Sequence, residues 1–252
     1  MMEIFEENRE RIMTGFALLG AVLLIGLIDN FFVIWLVLGA VYLVAFKEAL
    51  MLFSIEDETL YLYGAGIWLV AGVYPYGDDL FILAGVAYAS AVAYNKDLEY
   101  KSFLPFLYPT AGMLFILTMY QEYGVASLLW LLTVVAMTDV GAYAFGKSMG
   151  KTQFCETSPN KTLEGVFGGI AVATATGMFM GLLVVDLITA FVISLLVATS
   201  SIFGDLFESS LKRAADVKDS GDILPGHGGV LDRIDGYLFG GIVMLVLLRG
   251  LV

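Results

Sequence analysis

Long apolar runs recur along almost the whole chain, and most approach the length of helix that crosses a lipid bilayer. A bilayer-spanning helix needs about 20 apolar residues. The runs, with approximate bounds, are 12–28, 31–46, 60–74, 79–94, 103–120, 125–145, 165–185, 187–204 and 236–252. Charged residues make up 15% of the 252 residues, whereas soluble domains carry about 25%. We therefore predict an all-α, polytopic transmembrane helical bundle of about nine spans.

The positions of the basic residues predict how this bundle is oriented. With the N-terminus in the cytoplasm, nine spans place 12 of the 13 lysines and arginines on the cytoplasmic side, where such charges accumulate. Several runs are short, and 49–55 is too short to cross, so eight spans or a re-entrant segment is the alternative. We predict one integral domain, 1–252, in the inner (plasma) membrane. Its loops 146–164 and 205–235 face the cytoplasm and carry the functional residues.

The overall charge limits the partners of the chain. A net charge of −12 argues against a nucleic-acid partner and against a polybasic grip on anionic headgroups. The single cysteine, Cys155, has no second thiol for an internal disulfide. The expected surroundings are therefore membrane lipid, without nucleic acid.

A polar helix face follows the run at 187–204. Asp205, Glu208, Ser209 and Lys212 are spaced i, i+3, i+4 and i+7, which places them on one side of a helix. A solvated helix end with an (i, i+4) pair would explain the spacing. An ionisable side chain that begins inside an apolar segment is, however, a functional candidate by default.

The segment KDSGDILPGHGGVLDRID, residues 218–235, leads directly into the last apolar run. Its proline and glycines exclude helix and favour a tight loop whose backbone can approach a ligand. Asp232 and Asp235 then lie one turn apart at the start of the last helix, where one of them could be a cap. Carboxylates indicate Mg²⁺, and the bases indicate phosphate; both together indicate a metal-bound polyphosphate. The bases are Lys212, Arg213, Lys218 and Arg233.

The other cytoplasmic loop contains Ser158, Lys161, Thr162 and Glu164 ahead of a glycine-started helix. Thr162 or Ser158 as a helix cap is one interpretation. The functional interpretation adds Lys161 and the hydroxyls as phosphate contacts. Asp139, in the run at 125–145, is a further acid in apolar surroundings whose role is open.

These residues resemble the phosphatidate cytidylyltransferase family, also called CDP-diacylglycerol synthases. Two stretches, 157–165 and 204–235, carry the resemblance, and 209–235 follows the family signature throughout. In the stretch 157–165 the family commonly has lysine and tryptophan at the positions that Asn160 and Leu163 occupy in this chain. Membership implies transfer of CMP from CTP to phosphatidate, with Mg²⁺, in a multi-span fold that forms a homodimer.

The resemblance also implies roles for individual residues. Asp205 and Asp232 are expected to hold the metal centre, which can include a monovalent cation such as K⁺. The expected catalytic residues are Asp205, Asp232, Lys212, Arg213, Lys218, Asp219 and Arg233. The expected substrate-binding residues are Ser158, Lys161, Thr162, Glu164, Glu208, Ser209, His227, Gly228, Gly229 and Asp235.

Two other classes of protein share parts of this pattern. A transporter also places acids and bases in its spans, but its site is expected near the membrane midplane and often accompanies repeated halves. A different CTP-dependent lipid enzyme, such as a polyprenol kinase, uses similar chemistry. Turnover of CTP would exclude the first, and a product that retains CMP would exclude the second.

Overall fold

The computed structural model describes residues 20, 24–96, 98–223 and 228–252. Within these ranges the chain is helical and forms no β-strand, which confirms the all-α prediction. The helices are α1 Phe31–Leu52, α2 Thr59–Ala71, α3 Asp79–Tyr94, α4 Ala111–Met149, α5 Leu163–Gly181, α6 Leu187–Ala214 and α7 Leu231–Leu251. A 3₁₀ turn, Tyr100–Phe103, and a π turn, Phe106–Thr110, precede α4.

Five helical stretches of the described chain are long and apolar enough to cross a membrane. They are Phe31–Leu52, Tyr100–Met149, Leu163–Gly181, Leu187–Ala214 and Leu231–Leu251. Helices α2 and α3 are apolar but have only 13 and 16 residues. Most of the predicted run at 12–28 lies outside the described residues. The membrane-protein class is thus supported, whereas the count of nine spans stays a prediction.

Helix α4 turns back on itself at Gly124. The dihedral angles there, φ 70° and ψ −174°, lie outside the helical region. Glycine adopts a positive φ without the steric cost that other residues meet. The turn divides α4 into two arms, 111–123 and 125–149.

Contacts with α7 show that these two arms run in opposite directions. A Cβ atom at Gly112 would meet Leu238, one at Gly241 would meet Ile116, and one at Gly236 would meet Val135. As residue numbers rise along the first arm, its contacts move towards the end of α7, so this arm runs parallel to α7. The contacts of the second arm move back towards the beginning of α7, so it runs antiparallel. The arms correspond to the separate runs predicted at 103–120 and 125–145.

An ion-pair network closes the end of the bundle at which α7 terminates. The guanidinium of Arg249 donates to Asp78 at 2.5 and 3.1 Å, and to Glu122 at 2.9 and 2.5 Å. At the same end Tyr120 donates to Asp29 at 3.0 Å. In the nine-span prediction Asp29, Asp78 and Glu122 fall in outer turns, and Arg249 is the one basic residue that is not on the cytoplasmic side.

The starts of α1 and α6 are fixed by side-chain caps. Asn30 accepts from the amide of Val33 at the start of α1, and Asp186 accepts from the amide of Ile188 at the start of α6. Hydrogen bonds from Thr189 hold the pKa of the Asp186 carboxyl below its usual value. Caps of this kind satisfy amides that have no partner within the helix.

Helices α6 and α7 cross in close contact at Gly204. A Cβ atom at Gly204 would lie only 2.5 Å from the carbonyl oxygen of Asp235. Only glycine therefore fits here without a shift of one helix. The crossing brings the polar face of α6 next to the first turns of α7.

Candidate active site

The polar face of α6 forms as its spacing predicts. The hydroxyl of Ser209 donates to Asp205 Oδ1 at 3.3 Å, and Lys212 Nζ donates to Glu208 Oε2 at 3.2 Å. Glu208 is fully buried, so this face is not a solvated helix end. The interpretation of this face as a functional cluster is therefore favoured over that of a solvated helix end.

Among the described residues, four hydrogen bonds hold Asp232. Its Oδ1 accepts from Lys212 Nζ at 2.5 Å. Its Oδ2 accepts from the amide of Gly229 at 2.8 Å and from the amide and hydroxyl of Ser220, both at 2.9 Å. Lys212 thus bridges the acids of α6 and α7, and the loop before α7 folds around one carboxylate.

Glu208 and Asp235 bring two further acids together. Their carboxyl groups lie within hydrogen-bonding reach of each other, and Asp235 also interacts electrostatically with Asp205 and Asp139. Ionised carboxylates accept hydrogen bonds but do not donate them. Consistent with this, Glu208 Oε1 is buried without a hydrogen-bond partner among the described residues. The cluster therefore has acceptor capacity left for a cation or a donor.

The loop before α5 contributes a base to the same cluster. Lys161 forms an ion pair with Asp205. Thr162 accepts from the amide of Gly165 at 3.2 Å, so its predicted role as a helix cap is confirmed. Glu164 accepts from the amides of Lys151 and Thr152 at 3.1 and 3.2 Å. Glu164 therefore fixes the loop, and Lys161 is held in place by the short turn that results.

A cavity of about 220 Å³ opens beside the Lys161–Asp205 pair. Its wall combines an acid of α4, the loop before α5 and the polar face of α6. The lining residues include Asp139, Gly146, Asn160, Lys161, Thr162 and Asp205. Pockets for drug-sized ligands usually measure about 300–1,000 Å³. The cavity is thus smaller than that range, and the one base among the described residues of its wall, Lys161, suits a phosphate group.

Other predicted residues lie at the exposed rim or outside the described chain. Arg213, Lys218 and Asp219 are exposed. Arg233 is also exposed and interacts electrostatically with Asp139. His227 lies outside the described residues. Ser158 is half-buried in the loop, where its carbonyl accepts from the amide of Lys161, but it does not line the cavity.

Gly228 and Gly229 lie at the end of the loop, directly before α7. Gly228 has a φ of 77°, a conformation that favours glycine. A Cβ atom at Gly229 would lie 2.2 Å from the hydroxyl of Ser220. Both glycines therefore let the loop close tightly around Asp232.

Sequence reasoning missed Glu48, a buried acid of α1. Glu48 accepts from the amides of Val230 and Leu231, and its Oε2 lies 3.3 Å from the hydroxyl oxygen of Ser220. The signal was present, because an ionisable residue near the end of an apolar run is a functional candidate. Its partners are 172 to 183 residues away, so its contacts could not be predicted from spacing.

The described acids do not form a complete metal cage. No group of three or more histidine, cysteine or acidic residues in the described chain is arranged to hold a metal ion. Mg²⁺, however, is usually held by one or two carboxylates together with water and substrate phosphates. The acids here fit that second kind of site, and the buried, unpartnered Oε1 of Glu208 calls for a positive charge or a shared proton beside it.

A buried acid–base cluster at one end of an apolar helical bundle fits either an enzyme or a transporter that handles charged groups, and comparison with known proteins decides the class. The chain belongs to the cytidylyltransferase family, whose model matches residues 9–251. It is a nucleotidyltransferase.

Individual relatives support this membership. The chain is 43% identical over 249 residues to the phosphatidate cytidylyltransferase of Helicobacter pylori strain J99, covering 98% of this chain and 93% of the relative. It is 47% identical over 123 residues to the enzyme of the same name from Bacillus subtilis, covering 47% and 46%. The Thermotoga maritima enzyme of that name is 38% identical over 174 residues, covering 64% of each chain.

Proposed function

We propose that this protein transfers CMP from CTP to phosphatidate and releases pyrophosphate, with CDP-diacylglycerol as the product. The relatives named as phosphatidate cytidylyltransferases support this choice, because one of them aligns with nearly the whole chain. The single structural observation that carries it is the Lys161–Asp205 pair on the wall of the cavity.

The position of the cluster suits substrates that arrive from two phases. The acids and bases lie where α6 leaves its apolar run and α7 begins, which is the level of lipid headgroups. Phosphatidate presents its phosphate at that level, whereas CTP arrives from water. We propose that this end faces the cytoplasm and that the membrane is the inner (plasma) membrane.

The bases of the cluster are placed to hold phosphate. Lys161 and Lys212 are paired with acids, and the exposed bases at the rim add positive charge. In the proposed reaction Lys161 binds a phosphate oxygen at the cavity, while Lys212 keeps Asp232 and Glu208 in place. Arg213, Lys218 and Arg233 offset the charge of CTP and of the leaving pyrophosphate.

We propose that the transfer is a direct displacement. An anionic oxygen of the phosphatidate phosphate forms a bond to the α-phosphorus of CTP, and the bond from that phosphorus to the α,β-bridging oxygen breaks. Transfer of this kind depends mainly on positioning and charge neutralisation. The chain therefore needs no nucleophile of its own, and His227 is not required as one.

We propose Asp205 and Asp232 as the metal-holding residues. When bound, Mg²⁺ would neutralise phosphate charge. Chelation with EDTA should abolish activity, and excess Mg²⁺ should restore it. A monovalent cation such as K⁺ and a homodimer stay predictions from the family resemblance.

Labelled CTP tests the proposal and separates it from its rivals. Purified protein in detergent is given phosphatidate and CTP labelled at either the α- or the γ-phosphate. We expect the α label in lipid and the γ label in pyrophosphate. A γ label in lipid would mean a kinase, and absence of CTP turnover would favour a transporter.

Pyrophosphate exchange tests the direct mechanism. Lipid-free enzyme is incubated with CTP, Mg²⁺ and labelled pyrophosphate. No label should enter CTP until phosphatidate is added. Steady exchange without lipid would indicate a nucleotidylated enzyme and make His227 a candidate nucleophile.

A further inference from the structure

Helix α7 begins with a cap supplied by a distant helix. The residue before it, Val230, has no polar side chain to cap the first amides. Glu48 of α1 replaces that cap: its Oε1 accepts from the amide of Val230 at 3.0 Å, and its Oε2 accepts from the amide of Leu231 at 2.7 Å. A carboxylate at a helix start both satisfies free amides and complements the helix dipole.

The loop before α7 is packed around the Glu48 carboxylate. Glu48 is 1% exposed. Cβ atoms at Gly221 and Gly229 would lie 2.6 and 2.8 Å from its Oε1. A larger residue at either glycine would displace the carboxylate. The position of Glu48 therefore requires glycine at both places in the loop.

Ser220 connects Glu48 to the cluster. Its hydroxyl lies 3.3 Å from Glu48 Oε2 and 2.9 Å from Asp232 Oδ2. A hydroxyl has one proton to donate, and its oxygen also accepts from the amide of Asp232 at 3.3 Å. Glu48 therefore fixes the two residues that precede Asp232 and lies against Ser220, and it does not line the cavity.

We propose that Glu48 is a positioning residue for cytidylyl transfer: it holds the loop and the first turn of α7 so that Asp232 meets Lys212 and the substrate phosphates. This inference rests on the proposed function. It assigns to α1, a helix outside the family signature, a direct part in orienting the site.

The first test separates positioning from stability. Glu48→Gln keeps the volume of the side chain but replaces one acceptor oxygen by an N–H donor that faces backbone amides. We expect kcat per folded molecule to fall about tenfold to a hundredfold, the range found for residues that orient ligating groups. The KM for phosphatidate should stay within about twofold, because Glu48 does not line the cavity.

Glu56→Gln is the matched control, because it removes an exposed acid just after α1 and should leave kcat unchanged. The folded fraction of each variant comes from thermal unfolding. If Glu48→Gln does not accumulate as folded protein, Glu48→Asp, which keeps the charge but shortens the side chain, takes its place with the same expectation. A kcat within about twofold of wild type would overturn the proposal.

The second test does not depend on turnover. Amide hydrogen exchange should quicken in the Glu48→Gln variant within 218–232 and stay unchanged elsewhere. Unchanged exchange, or faster exchange throughout the bundle, would contradict a local positioning role. If wild-type protein fails to turn over CTP with phosphatidate, the proposed function fails, and the exchange result alone then decides the proposal for Glu48.

Discussion

Lys161 shows how one residue can serve both the resting site and the proposed reaction. In the structure its ammonium neutralises Asp205 on the wall of the cavity. A phosphate in that cavity would offer a second negative partner at the same place. Because Lys161 and Asp205 are both partly exposed, their pair adds little to stability. Its position is explained better by binding than by folding.

Replacing Lys161 should therefore affect activity more than stability. We predict that Lys161→Met lowers kcat/KM for CMP transfer at least about tenfold, a loss of about 1.4 kcal/mol in transition-state stabilisation. The thermal midpoint should change little. Lys151→Met removes the same charge from an exposed position of the same loop and should keep wild-type activity. Equal activity of both variants would argue against a phosphate contact at Lys161.

Several residue-level predictions depended only on local spacing, and those could be made from the sequence. The i, i+3, i+4 and i+7 pattern placed Asp205, Glu208, Ser209 and Lys212 on one face. A cap at Thr162 or Ser158 was foreseen as one interpretation of the loop, and Thr162 is the residue that forms it. The burial of Glu208 was not foreseen, since it depends on how α7 crosses α6.

At the scale of elements, the crossing of α6 and α7 at Gly204 positions the acids. The carbonyl of Asp235 occupies the space that a side chain at Gly204 would need. The two helices bring Asp205 and Asp235 into electrostatic contact as a result. The geometry of the site therefore depends on a glycine that carries no chemistry.

An added methyl group at this crossing should disturb both folding and activity. We predict that Gly204→Ala lowers the free energy of unfolding by about 1–3 kcal/mol through overpacking and reduces the rate of CMP transfer. Gly66→Ala in α2 is the control, because a Cβ atom there would meet nothing within 4 Å. Chemical or thermal denaturation measures the stability of both variants, and the assay with labelled CTP measures their rates of CMP transfer. If Gly204→Ala keeps wild-type stability and a wild-type rate, then α6 and α7 can move apart without loss of either, which would contradict the prediction.

The limits of sequence reasoning were clearest where elements meet. The turn between the two arms of α4 was predicted, because the apolar pattern breaks near Glu122. The cap that Glu48 supplies to α7 was not, because it joins residues more than 170 positions apart. Hydropathy gives the order of helices, but it does not specify which of their ends lie against each other.

At the scale of the whole molecule, the two ends of the bundle differ in chemistry. Arg249 joins Asp78 and Glu122 at one end, whereas the acid–base cluster and Glu48 occupy the other. Helix α7 connects the two ends, since its first turn holds Asp232 and its last turn holds Arg249. These ends should therefore lie on opposite sides of the membrane.

Tag accessibility in intact cells or sealed vesicles tests this orientation. A tag or protease site inserted within 214–222 should be reached only from the cytoplasm, and one fused after Val252 only from outside. The result follows from the lysine and arginine distribution and from the length of α7. Both sites on one side would show that the nine-span count is wrong by one.

The central claim is that the cluster at the start of α7 performs the transfer, and the rate of CMP transfer by Asp205→Asn and Asp232→Asn tests it most directly. Asp216→Asn is the control, since this exposed residue has a φ of 54° that asparagine tolerates. With protein shown to be folded in detergent, we predict almost no activity for the first two variants and wild-type activity for the control. Retention of more than about a tenth of the wild-type rate, a barrier change of only about 1.4 kcal/mol, would contradict the account.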